Sequence, residues 1–317
     1  MMMSLRVAPR ATKQSPRAGG DCFTRSRSFA TLAPHCVCCS AGVTKAKDME
    51  SNSVNKKDIL QGVFTRSASS YERIRYFPIF GQWLVETAQI PEGSKVLDVA
   101  CGRGAVLFPA AQRVGPSGHV IGVDLAEGMA RETNMEIQRR GLTQAEARQM
   151  DAEHLAFPDS SFDFVLCGFS LQFFPHLERA LSEFRRVLKP SGHVAVTTWA
   201  SDDESWNWFD DLRNIYGAVV KLGSQSLDKP EELQRWFSQA GFVDIQISTK
   251  ELDMVYLDEE EWWNVEWSIS GRAGLEKLSA EALECFKEES FAKVQSQHEA
   301  DGFHYKLSAF CTTAKNV

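Results

Sequence analysis

Asp98 sits inside "VLDVACGRG" (96–104), among apolar residues that read as a buried strand. A carboxylate there is costly unless something satisfies it. Gly102 and Gly104 follow at once, and glycines let a backbone turn tightly and approach a ligand closely. A second acid, Asp124, ends the next apolar run, about twenty residues beyond the loop. At the carboxyl end of a strand such a carboxylate can accept both hydroxyls of a ribose. Strand, glycine loop and acid together point to an adenosine-containing ligand.

A dinucleotide is the first such ligand to weigh. Its loop wants G-x-G-x-x-G and presents amides to a pyrophosphate. Here "GRGAVL" puts Leu107 where the third glycine belongs. Asp98 lies just before the loop, where a negative group repels a diphosphate and favours a cation. S-adenosylmethionine carries a sulfonium and an α-ammonium but no phosphate. Asp98 and Asp124 therefore fit S-adenosylmethionine better than NAD.

Such residues need a sheet to hold them. "KVLDVAC", "GHVIGVDLA" (118–126), "EARQMD" (146–151), "SFDFVLCGFS" (161–170) and "HVAVTTWA" (193–200) read as strands, separated by helical segments at 104–114, 127–141 and 177–192. The fourth run is almost wholly apolar, as expected of a strand covered on both faces. This alternation predicts an α/β, Rossmann-like, doubly wound sheet, mostly parallel, with ligands outside the carboxyl ends of its strands. Beyond Ala200 come a helical insert, a helix at 229–242, an alternating strand at 243–257, a Glu- and Trp-rich helical stretch and a last strand at 303–315. They predict seven strands in all, one antiparallel near the C-terminus, with a helical lid over the ligand edge. Residues 71–90 read as helical but interrupted by Pro78, and the polar stretch 49–70 as a linker. The domain then runs 71–317, with its core at 71–200 and its lid and closing hairpin at 201–317.

"VLDVACGRG", "GHVIGVDLAEGM", "QMDAEHLAFPDSSFDFVLC" and "EFRRVLKPSG" resemble, in order and spacing, the successive motifs of class I S-adenosylmethionine-dependent methyltransferases. The nearest group is the type 11 family, which includes the ubiquinone and menaquinone C-methyltransferases. The likeness covers about Tyr71 to Ala200, "GF" at 241–242 and the final strand. It implies that Asp98 and the backbone around Ala100 and Gly102 hold the methionine end of the cofactor. Asp124 would bind the ribose hydroxyls, with Leu125 and Met129 beside the adenine. Asp151 would accept the adenine amino group while the Ala152 amide donates to the ring. Asp151 also reads as a helix N-cap before "AEHL". Cys167 and Gly168 would face the methyl group. Arg103 stands where relatives carry a small residue; it is expected to fold outward and receives no role.

Methyl transfer from a sulfonium is an in-line displacement that needs alignment and no metal. A phenol or hydroquinone acceptor would also need a base; His176, His298, His304 and Glu266 are the candidates. His176 follows Pro175 at a helix start, which reads first as capping, and no catalytic residue is assigned. Seven of the eight tryptophans lie after residue 198. They either pack the lid or line an apolar pocket for an aromatic, quinone-like or isoprenoid small molecule. A catalytically silent relative that binds S-adenosylmethionine as a partner subunit is the alternative.

Charge narrows the partners. Residues 1–47 hold eight Lys and Arg against one acid, whereas the remainder holds 27 basic and 41 acidic residues. An acidic body argues against nucleic acid, whose phosphates need a basic face. No apolar run approaches the length of a membrane span. The basic, Ser-rich head has the composition of an organelle transit peptide over residues 1–48, plastid ahead of mitochondrion; a start at Met49 would give a cytoplasmic protein. Eight cysteines include four in that head, and none has zinc-ligand spacing with a partner pair, so no metal is expected.

Overall fold

The computed structural model describes residues 56–200 and 204–317. The leader assigned to residues 1–48 lies outside the described residues. The described chain falls within a single unit, Ser53–Val317.

Seven strands form one sheet in the order β3-β2-β1-β4-β5-β7-β6. They are β1 (Lys95–Val99), β2 (His119–Asp124), β3 (Ala145–Gln149), β4 (Phe162–Gly168), β5 (Leu188–Trp199), β6 (Val243–Tyr256) and β7 (Phe303–Lys315). β1 to β5 pair in parallel, and β7 runs antiparallel to both β5 and β6. The predicted doubly wound sheet with one antiparallel strand is therefore the observed one. Strand order reverses at β1, between β2 and β4, so the loop after β1 opens into the crevice where such sheets bind ligands.

The helices are α1 (Lys56–Ser67), α2 (Tyr76–Ala88), α3 (Leu107–Val114), α4 (Glu127–Arg139), α5 (Leu177–Val187), α6 (Asn207–Tyr216), α7 (Pro230–Gln239), α8 (Glu259–Glu266), α9 (Arg272–Leu275) and α10 (Ala280–Ser296). One apolar layer joins α5 and α7 to a face of β1, β4 and β5, through Leu97, Val165, Leu181, Phe184 and Phe237. The other joins α2 and α3 to the opposite face through Leu84, Val96, Leu107, Ala111 and Leu166. A third, largely aromatic, fills the space under the lid with Phe209, Trp262, Phe286 and Phe303.

Three expectations change. The linker at 49–70 contains α1, because Leu60 and Val63, with Ile59 and Phe64 beside them, make an apolar stripe at helical spacing that packs on Leu222 and Ala273. Pro78 does not interrupt α2: the helix starts at Tyr76, so Pro78 falls in the first turn, where a missing amide costs no internal bond. The helical segment read at 177–192 ends at Val187, and "KPSG" lies within β5, whose pairing with β4 jumps from Phe162↔Leu188 to Phe164↔His193. The intervening residues bulge from the ladder.

Candidate active site

Two cavities meet over the loop after β1 and share Tyr71, Phe77, Ala100, Gly102, Phe169 and Ser170 in their walls. The first, of about 160 Å³, is bordered by Asp124, Leu125, Met129, Asp151 and Ala152 on the sheet side and by α1 above. The second, of about 740 Å³, reaches down to Asp98, Gly168 and Thr197. Asp98, Ala100, Gly102, Asp124, Leu125, Asp151 and Ala152 thus converge on adjoining cavities, although Asp98 faces only the second.

The loop is held from both sides. The Gly102 amide donates to Asp124 Oδ2 at 2.9 Å, and the Thr133 hydroxyl on α4 donates to the Gly102 carbonyl at 2.7 Å. Ala100 and Gly102 adopt φ of 56° and 51°, the left-handed region, which turns the chain sharply out of β1. At Gly104, whose φ is 84°, a Cβ would lie 2.5 Å from the Phe108 ring, so a side chain there would have to push that ring aside. Thr133 escaped sequence reasoning because it sits mid-helix in a polar run.

The two acids differ in their surroundings. Asp98 is fully buried and neither carboxyl oxygen has a hydrogen-bond partner. Burial, and then the charge of Asp124, push its carboxyl well above the usual carboxylate range; the nearby Leu107 amide works against this without closing a hydrogen bond. Asp124 is raised to about 6 by burial, opposed by the amides of Ala126 and Gly102. Its Oδ1 accepts from Ala126 at 2.8 Å, and each oxygen keeps a second acceptor site toward the cavity. An orphaned buried acid and a half-engaged one suit a ligand that carries a cation and hydroxyl donors.

Asp151 begins the turn after β3. Its Oδ1 accepts from the Glu153 amide at 3.0 Å, a local turn and not a helix cap. Its Oδ2 meets Lys57 Nζ of α1 at 2.7 Å. The same ammonium lies 2.7 Å from Glu153 Oε2, whose carboxylate is buried and also accepts the His176 amide. Lys57 is held charged by hydrogen bonds to both acids despite burial.

The remaining wall is aromatic. Phe64, Tyr71, Tyr76, Phe77, Phe169, Phe173, Phe174 and Trp199 line the first cavity. Phe169 stacks on Trp199 with centroids 4.0 Å apart, and Tyr71 lies parallel to Phe77 at 5.4 Å. Phe169 has φ 53°, an uncommon geometry for a bulky residue that aims its ring off the end of β4 into the cavity. Ile269 and Ser270, between α8 and α9, close the wall from the lid. Sequence reasoning missed Lys57, Phe77 and Phe169; a run of aromatics on either side of the predicted sheet was the available signal.

Other expectations do not reach the cavities. Cys167 is fully buried in the sheet core, and its neighbours Gly168 and Phe169 are the ones facing the ligand space. Arg103, by contrast, folds inward and borders the second cavity: it donates to the Ala68 carbonyl and lies 3.7 Å from Glu72, because the chain before α2 passes directly above the loop. His176 caps α5 by position only; its ring rests 3.1 Å from Glu153. His304 pairs with Asp253 and Asp301, His298 with backbone carbonyls, and Glu266 with Arg213. None of these four lines either cavity. Of the seven late tryptophans only Trp199 does; Trp206, Trp208, Trp262, Trp263 and Trp267 pack in the aromatic layer of the lid, and Trp236, on α7, packs against the sheet's apolar layer. Among the described residues no helix is long and apolar enough to cross a membrane.

Residues 97–196, from β1 into β5, match the family described as Methyltransferase domain. The chain is 41% identical over 145 residues to aklanonic acid methyltransferase DauC of Streptomyces, covering 45% of this chain and 66% of that protein. It is 34% identical over 212 residues to nocamycin O-methyltransferase of Saccharothrix syringae, covering 61% and 75%. It is 35% identical over 146 residues to demethylmenaquinone methyltransferase of Listeria welshimeri, covering 44% and 62%. Among solved structures, the YcgJ protein of Bacillus subtilis shares the fold at a TM-score of 0.53 and 20% identity, over 75% of this chain and 98% of that one. The chain belongs to the S-adenosylmethionine-dependent methyltransferases.

Proposed function

We propose that this chain transfers a methyl group from S-adenosylmethionine to an apolar, planar small molecule. The observation that carries the reading is Asp98: a buried carboxylate without a hydrogen-bond partner, beside the glycine loop on the cavity that adjoins the aromatic one. Bound S-adenosylmethionine supplies an electrophilic methyl on a cationic sulfur. Asp98 would pair with the α-ammonium, and the Ala100 and Gly102 backbone would hold the carboxylate end. Asp124 would accept the ribose hydroxyls through its free lone pairs. Leu125 and Met129 would flank the adenine, Asp151 would accept its amino group, and the Ala152 amide would donate to the ring. The aromatic wall would hold the acceptor flat and exclude water, so the rate gain comes chiefly from alignment. No residue is assigned as a base.

The names of the relatives, an acid, an O-methylated product and a quinone, support small-molecule acceptors and leave open whether oxygen or carbon is methylated. We also propose that residues 1–48 direct the chain to an organelle, the plastid first; fusion of that segment to a fluorescent protein tests this. The functional test is incubation of the purified protein with isotopically labelled S-adenosylmethionine and libraries of quinones, phenols and polycyclic acids. Label in an organic-soluble product supports the reading. Binding of S-adenosylhomocysteine without turnover of any acceptor would instead favour the silent partner subunit.

A further inference from the structure

Helix α1 roofs the first cavity, and its two ends are fastened differently from its middle. Leu60, Gln61 and Phe64 present the middle of the helix to the cavity, and Leu60 packs with Val63 on the apolar cluster beside it. At the C-terminal end Arg66 pairs with Glu276 of the lid, and Arg272 donates to the Arg66 carbonyl at 3.0 Å. At the N-terminal end one ammonium, Lys57, reaches down to two carboxylates of the β3–β4 connection. One of these, Asp151, lines the cavity. The other, Glu153, has a side chain only 1% exposed and fixes the first turn of α5 through the His176 amide.

We propose that Lys57 is a positioning residue that clasps α1 over the cofactor, and that releasing this clasp lets cofactor and product exchange. The proposal rests on the cofactor reading above. Three observations support it. Helix α1 lies across the first cavity, of about 160 Å³, at the end of the joined space where Asp124, Leu125, Asp151 and Ala152 converge, so it bounds the nucleoside end of the site. The helix is short, and a helix of twelve residues is marginal in water without tertiary support. The Lys57 clasp bonds directly to a carboxylate assigned to the adenine, so opening the roof and freeing Asp151 are one event.

The test compares wild type with Lys57→Met and Lys57→Arg, using S-adenosylhomocysteine as the probe. Stopped-flow displacement gives its release rate at low and high salt, and hydrogen exchange reports on residues 56–67 without ligand. Loss of charge-assisted bonds of ordinary strength predicts release faster by roughly tenfold or more in Lys57→Met. Lys57→Arg should restore most of the wild-type rate. Release from wild type should quicken with salt while Lys57→Met stays flat, a response that a merely structural role would not produce. Amides of α1 should exchange faster in Lys57→Met, with those of β1 and β4 unchanged. Unaltered release and unaltered α1 exchange in Lys57→Met would overturn the clasp. Should Lys57→Met fail to fold, salt-independent release from wild type overturns it equally. Failure of wild type to bind S-adenosylhomocysteine would sink the cofactor reading, and α1 exchange would then still judge the clasp by itself.

Discussion

The wall around Asp98 and Asp124 and the wall around Trp199 are made of different material. The first is backbone and carboxylate drawn from one stretch, β1 to the turn after β3, and each polar group in it has a defined position. The second is aromatic rings brought in from α1, from the segment before and into α2, and from the ends of β4 and β5, closed by Ile269 and Ser270 of the lid. A cofactor wall built from strand ends and a clamped loop inherits the rigidity of the sheet. An acceptor wall built from separate helices and loops can be rebuilt without touching the sheet, which is how one fold serves many acceptors. The comparison can be broken at chosen residues.

The largest effect should come from Asp98→Asn. Truncating one member of a desolvated charge pair costs about 2–5 kcal/mol, so S-adenosylhomocysteine binding should weaken by roughly thirtyfold to several thousandfold. Stability should hold or rise, because an unpartnered buried acid is removed. Calorimetric titration and a thermal melt check both halves. Unchanged affinity would mean that the cofactor wall does not use its orphan.

Asp124→Ala should act on binding and on folding together. Besides facing the ribose position, Asp124 braces the glycine loop, because the Gly102 amide donates to it. Losing bonds to the ribose hydroxyls should weaken S-adenosylhomocysteine about 10- to 150-fold. Leaving the Gly102 and Ala126 amides without an acceptor should cost about 1–3 kcal/mol of stability as well. The pH dependence has a definite sign. Asp124 accepts hydroxyls when ionised, its pKa is about 6, and so affinity should fall as pH drops through 6. Asp98, raised well above the ordinary range, must lose a proton to meet a cation, which adds a slope of the same sign. Titrations in buffers of different ionisation enthalpy should show proton release on binding.

The same contrast explains what the sequence disclosed. The mostly parallel seven-stranded sheet and its single antiparallel strand were legible, because they follow from local pattern and chain direction, and the seven residues that the resemblance assigned to the cofactor lie on adjoining cavities. The aromatic wall was not. Its tryptophan count pointed at the lid, yet burial under the lid took most of those rings, and the cavity took phenylalanines with no periodic signature. Helix α1 was overlooked because its stripe is short and sits in a charged setting. Arg103 was misplaced because nothing local reveals a segment crossing above the loop.

Trp199→Leu should sharpen the comparison from the acceptor side. It removes the stacked partner of Phe169, an interaction of about 0.5–1.5 kcal/mol beyond its area. KM for the acceptor should rise by roughly two- to tenfold while S-adenosylhomocysteine affinity stays at the wild-type value. A larger loss for cofactor than for acceptor would show that the two walls are not separable.

The smallest effect should come from Cys167→Ala. Cys167 lies next to Gly168 on β4, and sequence reasoning aimed both at the methyl group. Strand geometry separates them, since successive side chains point to opposite faces and only one face opens toward a cavity. Cys167 is wholly buried among Leu97, Val165 and Val196, and burial pushes its thiol far up, so it carries no thiolate for chemistry. Replacing its sulfur by hydrogen removes about one heavy atom from a packed core and should cost on the order of 1 kcal/mol, read as a melting temperature lower by a few degrees. Neither kcat nor either KM should move. A fall in kcat with stability intact would place the sulfur within reach of the reacting methyl and shift the boundary between core and acceptor wall by one residue along β4.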